Sequence, residues 1–134
     1  MRPSAPAARP VDHPRRAAYD VLAAVSRDDA YANLVLPGLL RERGIVGRDA
    51  ALATELAYGA LRARGVLDLV IERGARRPTA DIDPRALDVV RLGAYQLLRT
   101  RVAPHAAVAS SVDLARAVGA ARAAGFVNAV LRRV

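Results

Sequence analysis

Apolar residues in this chain recur every three or four positions between prolines and glycines, the spacing of one buried helix face and not the alternation of a strand. Ala17, Ala18, Val21, Leu22 and Val25 follow that spacing behind Asp12 or His13 as a cap and Pro14 in the first turn, and predict a helix over about 14–26. Leu36, Leu39 and Leu40 predict a second, short helix with Pro37 near its start and Gly44 as its terminator. A third is expected over 48–64, with Leu52, Leu56 and Gly59 on one side and Gly65 as the stop, and a brief fourth over 66–73. Asp83 before Pro84 marks the start of a fifth over 84–99, which carries Leu87, Val90, Ala94, Leu97 and Leu98 inward. Val102-Ala103-Pro104 interrupts the pattern, because the residue before a proline avoids helical angles. The sixth helix is expected over 104–118 with Val108, Val112 and Ala115 inward, and the seventh over 121–133 with Phe126, Val127, Val130 and Leu131. The expected fold is all-α, a seven-helix bundle. Residues 74–83, where Arg76, Arg77, Pro78, Asp81 and Asp83 offer little to bury, are the expected seam between a four-helix and a three-helix subdomain.

The 134 residues are enough for one small domain, expected over 13–134 behind a Pro/Ala/Arg leader at 1–12. With 53% hydrophobic residues the chain can bury a core. Only five residues are aromatic, so alanine and glycine must let the helices approach closely. The absence of cysteine excludes disulfides, Cys-ligated metal and thiolate catalysis, and fits a reducing, cytoplasmic compartment. No apolar run reaches the ~18 residues of a membrane span, and the first twelve residues do not resemble a signal peptide.

The net charge is +8, which points to a polyanionic partner such as nucleic acid, although all 21 basic residues are arginine and 30 residues are alanine, the mark of a GC-rich coding bias. His13 and His105 lack metal-ligand spacing, no phosphate-cradling glycine loop occurs, and Ser26, Ser110 and Ser111 have no neighbouring base in the sequence. No catalytic or metal site is expected. The arginines instead cluster, and Arg15, Arg16, Arg62, Arg64, Arg99 and Arg101 are the candidate RNA-binding residues, either phosphate forks or an ordinary solvated face. Glu55, Tyr58 and Arg62 share one helical stripe, where Tyr58 either stacks a base or packs in the core with Glu55 ion-paired elsewhere. Arg91 falls inside the apolar stripe of the fifth helix and is expected to be buried and paired, with Glu55 the preferred partner.

Six segments together resemble the helical domain shared by the antitermination factor NusB and the N-terminal part of the RsmB (Sun) ribosomal RNA cytosine-5 methyltransferases. Arg15 to Leu22 resembles the arginine-rich opening of that domain, and Phe126 to Arg132 is similar to its last helix in both branches. Tyr31 to Pro37, Thr54 to Arg62, Arg91 to Leu98 and Arg101 to Val108 look like the RsmB branch. Typical NusB proteins carry an Asn-Glu pair where this chain has Ala109 to Asp113, and Glu where Gln96 stands. The resemblance implies a NusB-like bundle that presents ribosomal RNA to a catalytic domain using S-adenosylmethionine. That domain is not expected within these residues, since C5 methylation needs a cysteine thiolate to add to the ring. The chain then reads as a fragment, a truncated gene or a free-standing factor, the last implying a NusB-like role on leader RNA with a ribosomal protein.

Overall fold

The computed structural model describes residues 12–134, so the leader, apart from Asp12, lies outside the described residues. Seven α-helices follow one another: α1 His13–Asp28, α2 Ala32–Glu42, α3 Gly47–Arg62, α4 Arg64–Ala75, α5 Pro84–Arg99, α6 Pro104–Ala117 and α7 Ala124–Arg132, with single 3-10 turns at Thr79–Asp81 and Ala121–Ala123. No strand occurs among the described residues.

The caps follow the sequence. Asp12 accepts from the Arg15 backbone N–H at 3.2 Å, and Asp83 accepts from Arg85 and Ala86 at 2.9 and 3.2 Å, so the prolines that open α1 and α5 each stand behind a carboxylate that satisfies free N–H groups of the first turn. Gly44 (φ 64°) and Gly119 (φ 83°) take the left-handed conformation just past α2 and α6, as expected of helix terminators.

Two boundaries differ. The second helix begins at Ala32, five residues before Pro37, so the proline sits in its interior. Proline forfeits the bond to the carbonyl four residues back, and that residue, Asn33, is exposed, where the loss of one helical donor is tolerated. The third helix stops at Ala63, not at Gly65. Ala63 is at once the last cap of α3 and the first of α4, and Gly65 lies within α4.

One apolar cluster receives residues from all seven helices. At its centre stands α5, buried without interruption from Ala86 to Gln96 and packed against α1, α3, α4, α6 and α7. The close approaches run through glycine. At Gly93 a methyl group would stand 2.6 Å from Ser111 Oγ and 2.7 Å from a Leu131 methyl, and at Gly59 it would overlap the Tyr95 ring. The expected seam is better anchored than its composition suggests: Gly74 and Ile82 are buried, and Glu72 accepts from the Thr79 backbone N–H at 2.8 Å. Leu98 was expected inward but is 45% exposed, and Val108 and Val112 are only half-buried, because an open groove runs between the end of α5, α6 and α7.

Candidate nucleic-acid interface

The six candidate arginines divide by what their guanidinium groups already hold. Arg15 donates to Asp12 Oδ2 at 2.8 Å and to Gln96 Oε1 at 2.9 Å, and Gln96, fully buried on α5, donates its own amide to the Leu92 carbonyl at 3.1 Å. Arg16 turns the other way, to Asp20 at 3.3 Å and to the Ala117 carbonyl at the end of α6 at 3.2 Å. The two neighbours therefore do not form a joint fork. Of the pair, Arg16 is the one that faces outward, its side chain 37% exposed against 15% for Arg15.

Arg62, Arg64, Arg99 and Arg101 are exposed and make no side-chain hydrogen bond or ion pair among the described residues. Arg62 and Arg64 flank the elbow at Ala63, while Arg99 closes α5 and Arg101 follows in the loop. The Gly59–Tyr95 contact ties the ends of α3 and α5 together. Arg62 and Arg99 each lie within about one turn of it, a rise of ~5 Å. Arg15, bonded to the residue after Tyr95, joins the same region, whereas Arg16 leads toward α6.

Arg91 is buried and paired as expected, but not with Glu55. Its guanidinium holds Asp68 of α4 with two bonds, 2.8 and 3.0 Å, and Asp88 with a third of 3.1 Å. Glu55 is exposed and has no ion-pair partner among the described residues. Asp88 also accepts from Ser26 at 3.2 Å, so one network joins α1, α4 and α5. Burial pushes the Asp88 carboxyl above the ordinary carboxylate range, and the charge and hydrogen bond of Arg91 oppose that rise. For Arg91 burial works against the charge, but Asp68 and Asp88 outweigh it and the guanidinium stays protonated. Sequence spacing missed Asp68 because it lies 23 residues away, and its only signal was an acidic residue on a short apolar helix.

His13 and His105 sit in the exposed first turns of α1 and α6. No three His, Cys, Asp or Glu side chains come together as metal ligands, and no helix is long and apolar enough to cross a membrane, both among the described residues.

An all-helical domain centred on one enclosed helix, with Arg62, Arg64, Arg99 and Arg101 exposed and unpaired among the described residues around the ends of α3 and α5, defines the class. The model of the NusB family matches residues 12–134, and the chain belongs to that family. Among relatives, a Mycobacterium tuberculosis protein provisionally named a methyltransferase is 59% identical over 99% of this chain. The small-subunit ribosomal RNA methyltransferase B of Pseudomonas putida is 40% identical over 90% of it. The chain spans 29% and 27% of the lengths of these two proteins. The antitermination protein NusB of a Marinomonas species is 35% identical over 51% of the chain and 40% of its own length. Among solved structures, NusB from Aquifex aeolicus superposes with a TM-score of 0.75 at 22% identity, over 91% of this chain and 84% of that one. A chain in a crystal structure of a plectonemic RNA supercoil does so with a TM-score of 0.82 at 23% identity, over 90% of each.

Proposed function

We propose that these residues are the RNA-binding domain of an RsmB-type ribosomal RNA cytosine-5 methyltransferase, presenting small-subunit ribosomal RNA to a catalytic domain outside them. The observation that carries this reading is the near-complete match to methyltransferase-named relatives, 59% and 40% identical, against a half-chain match to the Marinomonas antitermination protein. Four arginines around the ends of α3 and α5, exposed and unpaired among the described residues, supply the matching chemistry. Guanidinium forks meet phosphate with two N–H bonds each, and groups that hold no internal partner bind without breaking one.

S-adenosylmethionine, which a methyltransferase requires, does not fit the residues described. They contain no strand leading into a glycine-rich turn, and the chain has no cysteine to attack the pyrimidine ring. The domain's part is to bind and orient RNA.

The test is a titration of the purified chain with a small-subunit ribosomal RNA hairpin and with a scrambled single strand, followed by capture of partners. Saturable binding that favours the hairpin supports the reading. Failure to bind either RNA overturns it in favour of a protein-interaction module, and capture of a ribosomal protein instead of a methyltransferase domain replaces it by the antitermination role.

A further inference from the structure

The outer face of α3 bears a groove of about 540 Å³ lined by Ala50, Ala51, Thr54, Glu55, Tyr58 and Arg62. Ala51, Glu55, Tyr58 and Arg62 form one continuous stripe at i, i+4, i+7 and i+11, so the four side chains are stacked neighbours on a single helix face. Side chains on a helix lean toward its N-terminus, which carries the Tyr58 ring back over the turn holding Ala51 and Thr54. Both are small. The Thr54 hydroxyl is committed to the Ala50 carbonyl at 2.7 Å, so the floor under the ring is short and without a free donor. Tyr58 packs one side against the core and is only half-buried, leaving the other side on the groove. On either side of Tyr58 along the stripe stand charges without internal partners: Glu55 and Arg62 are both exposed and without ion-pair partners among the described residues.

Resting on the RNA-binding reading, we infer that this groove is a stacking site for one unpaired guanine of single-stranded RNA, held between the Tyr58 ring, the Glu55 carboxylate and Arg62. A flat slot beside an aromatic ring suits a base, since every base offers a π-face and single-stranded segments expose it. The carboxylate selects the edge. An ionised carboxylate only accepts, so the base must bring donors, and guanine alone presents two adjacent N–H groups, N1–H and N2–H, to both oxygens at once. Arg62, one turn beyond Tyr58, holds the neighbouring phosphate and offsets the repulsion between Glu55 and the RNA backbone. Arg64, Arg99 and Arg101, exposed around the adjoining helix ends, carry the strand onward.

The experiment measures binding of the chain to a uridine heptamer with one central guanosine and to the same heptamer with inosine, which lacks the 2-amino group, at one salt concentration. Wild-type protein is expected to favour guanosine over inosine by roughly tenfold, the effect of one hydrogen bond to a charged group. Glu55→Gln should shrink that ratio, Tyr58→Leu should weaken both heptamers about tenfold by removing the stack, and Tyr58→Phe should bind like wild type. A guanosine-to-inosine ratio of one in wild type, the same ratio kept by Glu55→Gln, or unchanged affinity in a folded Tyr58→Leu would each overturn the site. If Tyr58→Leu does not fold, the Glu55→Gln ratio decides by itself. Loss of the site alone leaves hairpin binding intact, whereas failure of the RNA-binding reading abolishes binding to hairpin and heptamers together.

Discussion

Whether a charged side chain is already spoken for decides what its removal does. Arg15 and Arg62 both belong to arginine-rich stretches, yet Arg15 donates to the Oε1 of a buried glutamine and Arg62 donates to nothing inside the described protein. Arg15→Ala is therefore expected to cost about 1–3 kcal/mol in urea denaturation, the penalty of an orphaned buried acceptor. Arg62→Ala should change stability by no more than about 0.5 kcal/mol. The sequence marked both as candidates because spacing reports which face a residue is on and not which distant residue meets it; Gln96 is 81 positions from Arg15. The same limit explains Arg91, whose burial was legible in the apolar stripe of its helix while its partner Asp68, 23 positions away on α4, was not; Asp88, three residues back on the same helix, lay within reach of the spacing rule. Arg91→Ala strands Asp88 in the interior and should cost about 3–5 kcal/mol. Asp88 gives a separate signature. Burial holds its carboxyl above the ordinary range, so the native state keeps a proton that the unfolded chain has already released. Stability from this group falls as pH rises from the ordinary carboxylate pKa through the raised one. Asp88→Asn should remove that slope in a series of urea midpoints across the acid range, and an unaltered slope would assign it to another group.

Helix existence was legible and helix limits were less so, for a reason that α2 and α3 make plain. A proline deletes one hydrogen bond, a loss that an exposed helix turn tolerates, so Pro37 sits inside α2 where the sequence placed it at the start. A glycine permits a stop without requiring one: Gly44 and Gly119 take positive φ and end helices, whereas Gly65 is helical and Ala63 makes the turn. Glycines within helices split into two kinds that substitution separates. Gly93→Ala forces a methyl group against Ser111 and Leu131, both buried, and the Ser111 hydroxyl is held to the Ala107 carbonyl at 2.7 Å, so neither neighbour yields easily. A loss of about 1–3 kcal/mol is expected. Gly38→Ala, in the middle of α2 with nothing within 4 Å of the added methyl, should instead raise stability by about 0.4–1 kcal/mol. Melting temperatures of the two variants, moving in opposite directions, check both.

At the level of the whole molecule, the +8 charge matters through those guanidinium groups that no internal carboxylate neutralises. Replacing Arg62, Arg64, Arg99 and Arg101 together by alanine should weaken RNA binding alike for different sequences. It should also flatten the plot of log affinity against log salt by ~0.7 for each single-strand phosphate that the variant no longer neutralises. An unchanged slope in the folded quadruple variant would move the RNA surface to Arg16 and the end of α6. The sequence separated two groups of helices at 74–83, and it could not convey that α5 belongs to both, because enclosure on every side is a property of five neighbours brought together from the rest of the chain. That enclosure governs how the protein can open. No set of neighbours can lift away from α5 without exposing part of a helix that is buried over eleven consecutive residues. In deuterated water the amides of α2, with its interior proline and Leu36 as its one fully buried residue, should exchange through local fraying, while those of Val89 to Ala94 should wait for the entire domain to come apart. The slowest protons would then report the global unfolding free energy, and a cut in the 76–81 connection would leave two pieces still clasped around one helix.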